Sequence, residues 1–395
     1  MSKDGYRIFD TDTHVGPSMD VLEGYMSASE RERLAPFAEY RSVAKRTGQV
    51  TYRMGARKYE RRLGRAEPGL ETSKGGYMAG FTGAHKGREP VPTVDHDVHS
   101  RITDMDFEGV DVNLLLPSGW FGAWTSIDDV ALEEAAFRAY NRWMNEYCGA
   151  YPHRLGGVII LSGRDIQAGL AEIERCKNES WPWGIFVYAP YGKPFDHPDF
   201  EPYWAAAQEY ELSVVLHTFT VMPPYAPGGL DTWDNLWLQR SAAHPWCGMR
   251  NMAAFIGSGA MDRYPRLRVG CLEAGHSWLP FWVKRLDEHA ETIASALPPL
   301  QRKPSEYVQS GRYFQSIEMS EGASLTKMVE DQLGTHILMY ASDYPHGESW
   351  FPKSVETVMS WDLSPDFKQR LFWDNPLKFY RRYAGVPQAL SAVAA

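Results

Sequence analysis

Eight short apolar runs, each followed by a stretch able to form an amphipathic helix, constrain this chain more than any other feature. They lie at residues 6–12, 110–117, 155–161, 183–189, 212–217, 267–273, 311–318 and 336–343. Most are apolar at consecutive positions, as in "VIIL" and "NLLLP". An antiparallel sheet with one wet face would alternate, so continuous runs point to parallel strands covered by helices. The intervening segments 128–151, 166–177, 201–211 and 277–297 repeat apolar residues near a period of 3.6. Eight such βα units predict a closed (β/α)8 TIM barrel.

Residues 15–100 break the rhythm. They are polar and far longer than one crossover requires, so they read as an insertion after strand 1, acting as a lid or subunit contact. The whole chain, 1–395, is then expected to be one metal-dependent barrel domain, with a loosely held C-terminal tail. Inside the insertion a basic run from Arg41 to Arg65 reads as the solvated face of a helical segment. Trp143, Trp204, Trp278 and Trp282 are placed to pack helices onto the barrel.

Composition narrows the class of function. A formal net charge of −9 argues against nucleic acid, whose phosphates need clustered cations. No run reaches the roughly 18–20 apolar residues of a membrane span, and "MSKDGYRIFD" lacks a signal-peptide core, which makes a cytoplasmic location the expectation. Cys148, Cys176, Cys247 and Cys271 have no paired spacing and read as small buried groups.

In a barrel of this kind the chemistry sits at the C-terminal strand ends. Strand 1 carries Asp10, Asp12 and His14 at alternate positions. Strand 5 ends in His217, strand 6 in Glu273 with His276 just beyond, and strand 8 in Asp343. Any one of these alone would read as an ordinary satisfied polar residue. Their convergence on one rim points to a metal, and nitrogen and oxygen donors without thiolates suit Zn²⁺, Mn²⁺ or Fe²⁺.

The stretches "FDTDTHV", "AYNRWMNEYCGAYPHRLGGV", "FEPYWAAAQEYELSVVLH", "MDRYPRLRVGCLEAGHSWLPFWVKRLDEH" and "YASDYPH" resemble the amidohydrolase-related proteins of the aminocarboxymuconate semialdehyde decarboxylase type. The resemblance covers most of residues 6–383 apart from the insertion. It implies a divalent metal held by Asp12, His14, His217 and Asp343, with His346 as outer support, and a small carboxylated or amino-acid-like substrate. Many relatives carry His or Glu at the position of Asp12, and often a His at the position of Glu273. Here Glu273 is either a ligand or a catalytic acid/base with a pKa raised by burial. His276 is either a further ligand, with a catalytic role, or a brace for Glu273.

Counting all six side chains gives more donors than one ion needs. That surplus favours two metals, Fe and/or Mn with Zn as an option, and is similar to a dinuclear hydroxylase branch typified by 2-aminoisobutyrate hydroxylase, with O2 as co-substrate. The alternative is a mononuclear Zn or Mn decarboxylase or hydrolase in which Glu273 or His276 moves the proton. A silent barrel supporting an active homologue is a third class, and the expected assembly is a homo-oligomer or a hetero-oligomer with a homologous subunit. His96 and His99, in "DHDVHS", read as part of a polar helix start. The loops 118–124 and 217–229 are expected to wall the pocket.

Overall fold

The computed structural model describes residues 4–45, 48–52, 97–190, 192–218, 236–296 and 299–384. Ten strands occur among them: β1 (Phe9–Val15), β2 (Arg41–Val43), β3 (Val50–Tyr52), β4 (Val112–Pro117), β5 (Leu155–Ser162), β6 (Pro182–Tyr188), β7 (Ser213–His217), β8 (Val269–Leu272), β9 (Tyr313–Ser316) and β10 (Leu338–Met339). All but β2 and β3 form one 8-stranded sheet in the order β1-β4-β5-β6-β7-β8-β9-β10. Every adjacent pair in it is parallel.

The sheet closes on itself through the chain that follows β10. Thr11 donates its N–H to Tyr340 O at 3.1 Å, Asp343 to Asp12 O at 3.0 Å and His14 to Tyr344 O at 2.7 Å. This is a (β/α)8 barrel, and each of the eight apolar runs supplies one of its strands within a few residues.

Helices form on the four expected segments 128–151, 166–177, 201–211 and 277–297, and on others that were not expected. They include α1 (Val98–Glu108), α2 (Val130–Gly149), α3 (Ile166–Cys176), α4 (Glu201–Glu209), α5 (Leu236–Gly257), α6 (Leu279–Thr292) and α7 (Gly322–Leu333). Asp129 and Asp165 cap α2 and α3, accepting from Leu132 N and Ala168 N at 3.0 Å each. Such caps contribute about 1 kcal/mol apiece by satisfying amides with no partner inside the helix. α2 buries Leu132, Ala136, Ala139, Tyr140, Trp143 and Met144, the spacing of one helical face.

At the N-terminal strand ends the barrel is plugged by aromatic rings. Phe9 lies 5.6 Å from Trp183, 5.7 Å from Tyr380 and 5.2 Å from Tyr383 between ring centroids. An apolar plug there leaves the opposite, C-terminal end as the place where ionisable groups gather. The four cysteines are free and buried, and no described helix is long and apolar enough to cross a membrane.

The described part of the insertion docks on α2. Glu30 pairs with Arg138 at 2.5 Å, Arg33 with Asp129 at 2.7 Å, and Tyr25 donates to Glu146 at 2.8 Å. The start of the basic run is not helical: Arg41–Val43 and Val50–Tyr52 pair as an antiparallel hairpin. The β-branched and aromatic residues of "VTY" favour that conformation, and burial of Val50 and Tyr52 holds it. The rest of the basic run lies outside the described residues, as do Asp95 and His96.

At Gly156 on β5, a Cβ would run into the indole of Trp183. Gly156→Ala is therefore expected to destabilise the barrel by about 1–3 kcal/mol through overpacking. The check is the urea midpoint at constant m-value; an unshifted midpoint would show that Trp183 can move aside.

Candidate metal centre

Asp12 and His14 are two residues apart on β1, which puts them on the same face. The register with β4 slips between Asp10 and Thr13, so Asp10 is separated from that pair. Its carboxylate accepts from Ser342 N at 3.0 Å and Ser342 Oγ at 2.5 Å, an anchoring role outside the cluster. His217 is the last residue of β7, Glu273 follows β8, and Asp343 lies on the segment that closes the barrel.

Glu273 and Asp343 both have left-handed backbone, φ +48° and +57°. That conformation costs a non-glycine residue about 1–2 kcal/mol and persists only where surrounding bonds impose it. Here Glu273 donates its N–H to Ser316 Oγ at 3.1 Å, and Asp343 donates to Asp12 O.

These side chains gather around His14, which belongs to two groups of donors able to hold an ion, one with Asp12 and His217 and one with Glu273, Asp343 and His346. His14 Nε2 lies 3.3 Å from Asp12 Oδ1, 3.2 Å from Asp343 Oδ1 and 3.8 Å from Glu273 Oε2. His217 Nε2 lies 3.0 Å from Glu273 Oε2 and 3.6 Å from Asp12 Oδ1. Asp12 Oδ1, His14 Nε2 and Asp343 Oδ2 are buried without a hydrogen bond. Donors about 2.0–2.2 Å from a shared ion stand about 3 Å from one another, which is the spacing found.

The ring of His14 is oriented for that purpose. Its Nδ1 is 3.2 Å from Pro117 O, a group that can only accept, so Nδ1 carries the hydrogen and Nε2 faces the cluster. The electrostatics agree. Burial pushes the His217 pKa down, but Asp12 and Glu273 outweigh it and hold it at about 9. Burial lowers the His14 pKa too, and Asp12 and Asp343 raise it well above the usual imidazole range. The mouth attracts positive charge, and the oxygen and imidazole donors fit Mn²⁺, Zn²⁺ or Fe²⁺.

For Glu273, expected as either a ligand or an acid/base with a pKa raised by burial, the shift runs the other way. Burial raises its pKa, yet His217 and other neighbours bring it to about 2.

His276 is not brought into this cluster. It is fully buried against the chain that follows β9, where its Nδ1 accepts from Glu318 N at 3.0 Å and lies 2.9 Å from Glu321 Oε2. Its Nε2 is 3.0 Å from Thr326 Oγ1. With both ring nitrogens occupied, the expectation of His276 as a metal ligand or catalytic group is corrected. The reason is the backbone: positive φ at Glu273 and at Gly275 (+71°) turns the chain away from the mouth before His276 is reached.

His346, expected as outer support, stands with His14, Glu273 and Asp343 in a group whose donor atoms lie close enough together to hold an ion. Its Nδ1 is 2.7 Å from Asp343 Oδ1, and its ring stacks on His14 at 3.9 Å. Asp97 caps α1 by accepting from His99 N, and the His99 ring meets Tyr151 Oη at 2.7 Å, as a polar helix start would. In the 118–124 loop, Phe121 packs on Tyr140 and Trp124 on Tyr52, and neither is among the described residues lining the cavity. The 217–229 loop lies outside the described residues beyond Thr218.

Four further residues reach the site. Arg240 and His244, one turn apart on α5, approach Glu273 Oε1 at 3.3 and 3.5 Å. Burial, followed by Arg240, lowers the His244 pKa to about 4 and keeps the ring neutral. Arg240 also pairs with Glu348, and Glu318 joins Asp12, Glu273, Asp343, Glu348 and Trp350 around a cavity of about 280 Å³ including its open mouth. Glu318 was readable by the strand-end rule, since it ends the seventh run; the i, i+4 spacing of Arg240 and His244 was the only signal for that pair.

The two histidines should separate cleanly on substitution. His14→Ala is expected to lose most of the bound metal, whereas His276→Ala should keep the metal content and lose about 1–3 kcal/mol of stability from unpaired buried groups. Elemental analysis beside denaturant unfolding checks both; metal loss in His276→Ala would return that residue to the centre.

Comparison with known proteins identifies the family. The family model described as "Amidohydrolase" matches residues 90–382, well over half of the chain. A gamma-resorcylate decarboxylase of Rhizobium sp. (strain MTP-10005) is 24% identical over 278 residues, 64% of this chain and 79% of the relative. The solved 5-carboxyvanillate decarboxylase of Novosphingobium aromaticivorans, complexed with manganese and 4-hydroxy-3-methoxy-5-nitrobenzoic acid, has a TM-score of 0.67 at 20% identity. The likeness covers 96% of this chain and 97% of that one. An amidohydrolase structure from Mycobacterium avium subsp. paratuberculosis has a TM-score of 0.68 at 18% identity, covering 95% and 99%. A family match that runs through the barrel from before α1 to the last described helix leads to one conclusion: this chain belongs to the amidohydrolase family of enzymes.

Proposed function

We propose that the protein is a metal-dependent, non-oxidative decarboxylase of a small carboxylated substrate, working with one divalent ion. The observation that carries this is the gathering of Asp12, His14, His217, Glu273 and Asp343 at one mouth, where two groups of donors able to hold an ion share His14, beside a cavity. The decarboxylase relatives support it, and manganese in two of the solved relatives supports the choice of ion.

When bound, a divalent ion there supplies positive charge against which substrate oxygen anions settle. The chain's own groups do the rest. Ile317, Met319 and Trp350 give the cavity an apolar wall suited to a ring. Arg240, held by Glu273 and Glu348, provides a fixed cation on the α5 side. Burial of the donors keeps bulk water away from them, which strengthens each electrostatic contact.

A second reading, the dinuclear O2-dependent hydroxylase, is favoured by one observation. The two oxygens of Glu273 face different imidazoles, Oε2 towards His217 and Oε1 towards His244. Against it, the Arg240 guanidinium holds the place beside Oε1 where a second cation would sit.

One experiment separates the two. Protein purified without chelators is analysed for metal and incubated with 2,6-dihydroxybenzoate and 5-carboxyvanillate, with and without O2. Close to one metal per chain and CO2 release in the absence of O2 are expected. Two metals per chain with turnover only in O2 would overturn the proposal in favour of the hydroxylase.

A further inference from the structure

We infer that the small cavity beneath α1 is a cation site separate from the mouth of the barrel, built for Ca²⁺. The site stands independently of the decarboxylase reading. The cavity, about 200 Å³ including its open side, lies between α1, β1, β4 and the chain after β10. Asp10, Asp104, Glu108 and Asn113 line it, together with Tyr344 and Phe351.

Asn113 points to a ligand. It is the polar residue in the apolar run of β4, "VNLLLP", and in the register of the sheet it stands opposite Asp10. It is 2% exposed, and its Oδ1 is buried without a hydrogen bond. Buried amide oxygens are ordinarily paired, because an unpaired one bears the full loss of its hydration. An apolar side chain would fill the position without that loss, so a carbonyl retained there has a use.

Asp10 gives the second sign. It is 1% exposed and engaged by neutral donors: Asp12 N at 3.4 Å, Ser342 N at 3.0 Å and Ser342 Oγ at 2.5 Å. No ion pair among the described residues includes it. A carboxylate sealed from water calls for a positive charge or a proton. Asp104 and Glu108 bring two more carboxyls from α1, while Arg101 on the same helix donates to the His14 carbonyl and Thr13 Oγ1.

The donors choose the ion. Three carboxyls and an amide carbonyl offer oxygen alone, without the imidazoles of the mouth, and oxygen selects a hard cation. Mg²⁺ keeps several waters in strict octahedral order, whereas Ca²⁺ accepts an irregular shell of protein oxygens, as a small space walled by side chains provides. All three acids also bond to the chain after β10, Asp10 to Ser342, Asp104 to Tyr344 and Glu108 to Ser354. Ser342 and Tyr344 flank Asp343. A bound ion therefore ties α1 and β4 to the segment that closes the barrel and stiffens the turn presenting Asp343.

The test is a calorimetric titration of Ca²⁺ into Mn²⁺-loaded protein freed of calcium, with Tm read alongside. Calcium is counted apart from the manganese of the mouth. Wild type is expected to take one Ca²⁺ per chain with Kd of about 10⁻⁵ M or tighter. Its Tm should rise by about 3–6 °C at roughly a hundredfold excess over Kd. Asn113→Leu and Glu108→Gln, the latter keeping an acceptor for Ser354, should each weaken Ca²⁺ binding by about tenfold or more with manganese content unchanged, and Asn113→Asp should strengthen it. If Asn113→Leu does not fold, the opposite effects of Glu108→Gln and Asn113→Asp decide. His14→Ala should keep the Ca²⁺ titration while losing manganese. No Ca²⁺ binding by wild type would overturn the site and leave the cavity to water and protons. Binding unchanged in both Glu108→Gln and Asn113→Asp would overturn it as well, and binding lost in His14→Ala would move calcium to the mouth.

Discussion

The seam between the first strand and the chain after the last one is the constraint on which the rest depends. Asp343 N–H to Asp12 O and His14 N–H to Tyr344 O close the barrel, and the same residues carry three of the side chains gathered at the mouth. Closure and site assembly are therefore one event. α1 braces the seam from outside with Arg101, Asp104 and Glu108, buried on one helix face together with Ile102 and Met105. Arg101 donates to the His14 carbonyl and to Thr13 Oγ1, Asp104 accepts from Tyr344 Oη at 2.7 Å, and Glu108 accepts from Ser354 N at 2.9 Å. A buried guanidinium is tolerable only with such partners, and here they are backbone and side-chain groups of the seam itself.

Charge at the mouth follows from that assembly. Three carboxylates in a dry space would repel one another strongly and would resist ionisation. Two imidazoles facing them, with Arg240 on the third side, lower that cost. This is why Asp12 and Glu273 are held below the ordinary carboxylate range despite full burial. Arg240 lies beside Glu273 Oε1, while His217 lies beside Oε2.

What could be read from the sequence divides along the same physical lines. Parallel strands covered on both faces are continuous apolar runs, so all eight were visible, and residues ending them, Asp12, His14, His217 and Asp343, were visible with them. His276 misled because an extended chain was assumed to continue past Glu273, whereas two positive-φ residues turn it away. Arg240 and His244 were hidden because they reach the mouth from a helix rather than a strand end, after a long connection that no local pattern aligns with the rim. The hairpin at Arg41–Tyr52 was hidden by its charge, since the pairing depends on two buried residues, Val50 and Tyr52, in a segment that otherwise reads as solvated.

The strained backbone separates function from accident. Among the described non-glycine residues, positive φ occurs at Asp4, Glu211, Glu273 and Asp343. Asp4 and Glu211 are exposed at turns, where a glycine would serve the backbone equally well and with less strain. Glu273 and Asp343 are buried, 7% and 8% exposed, and there a glycine would relax the chain but delete a carboxylate facing the imidazoles. The strain is tolerated at those two positions because neighbouring hydrogen bonds impose the turn and only a carboxylate completes the cluster. It also sets the path of the next residues. The turn that presents Glu273 is the one that carries His276 to the end of β9, so placing one acid at the mouth and fixing the backbone of another, Glu318, are consequences of the same few dihedral angles.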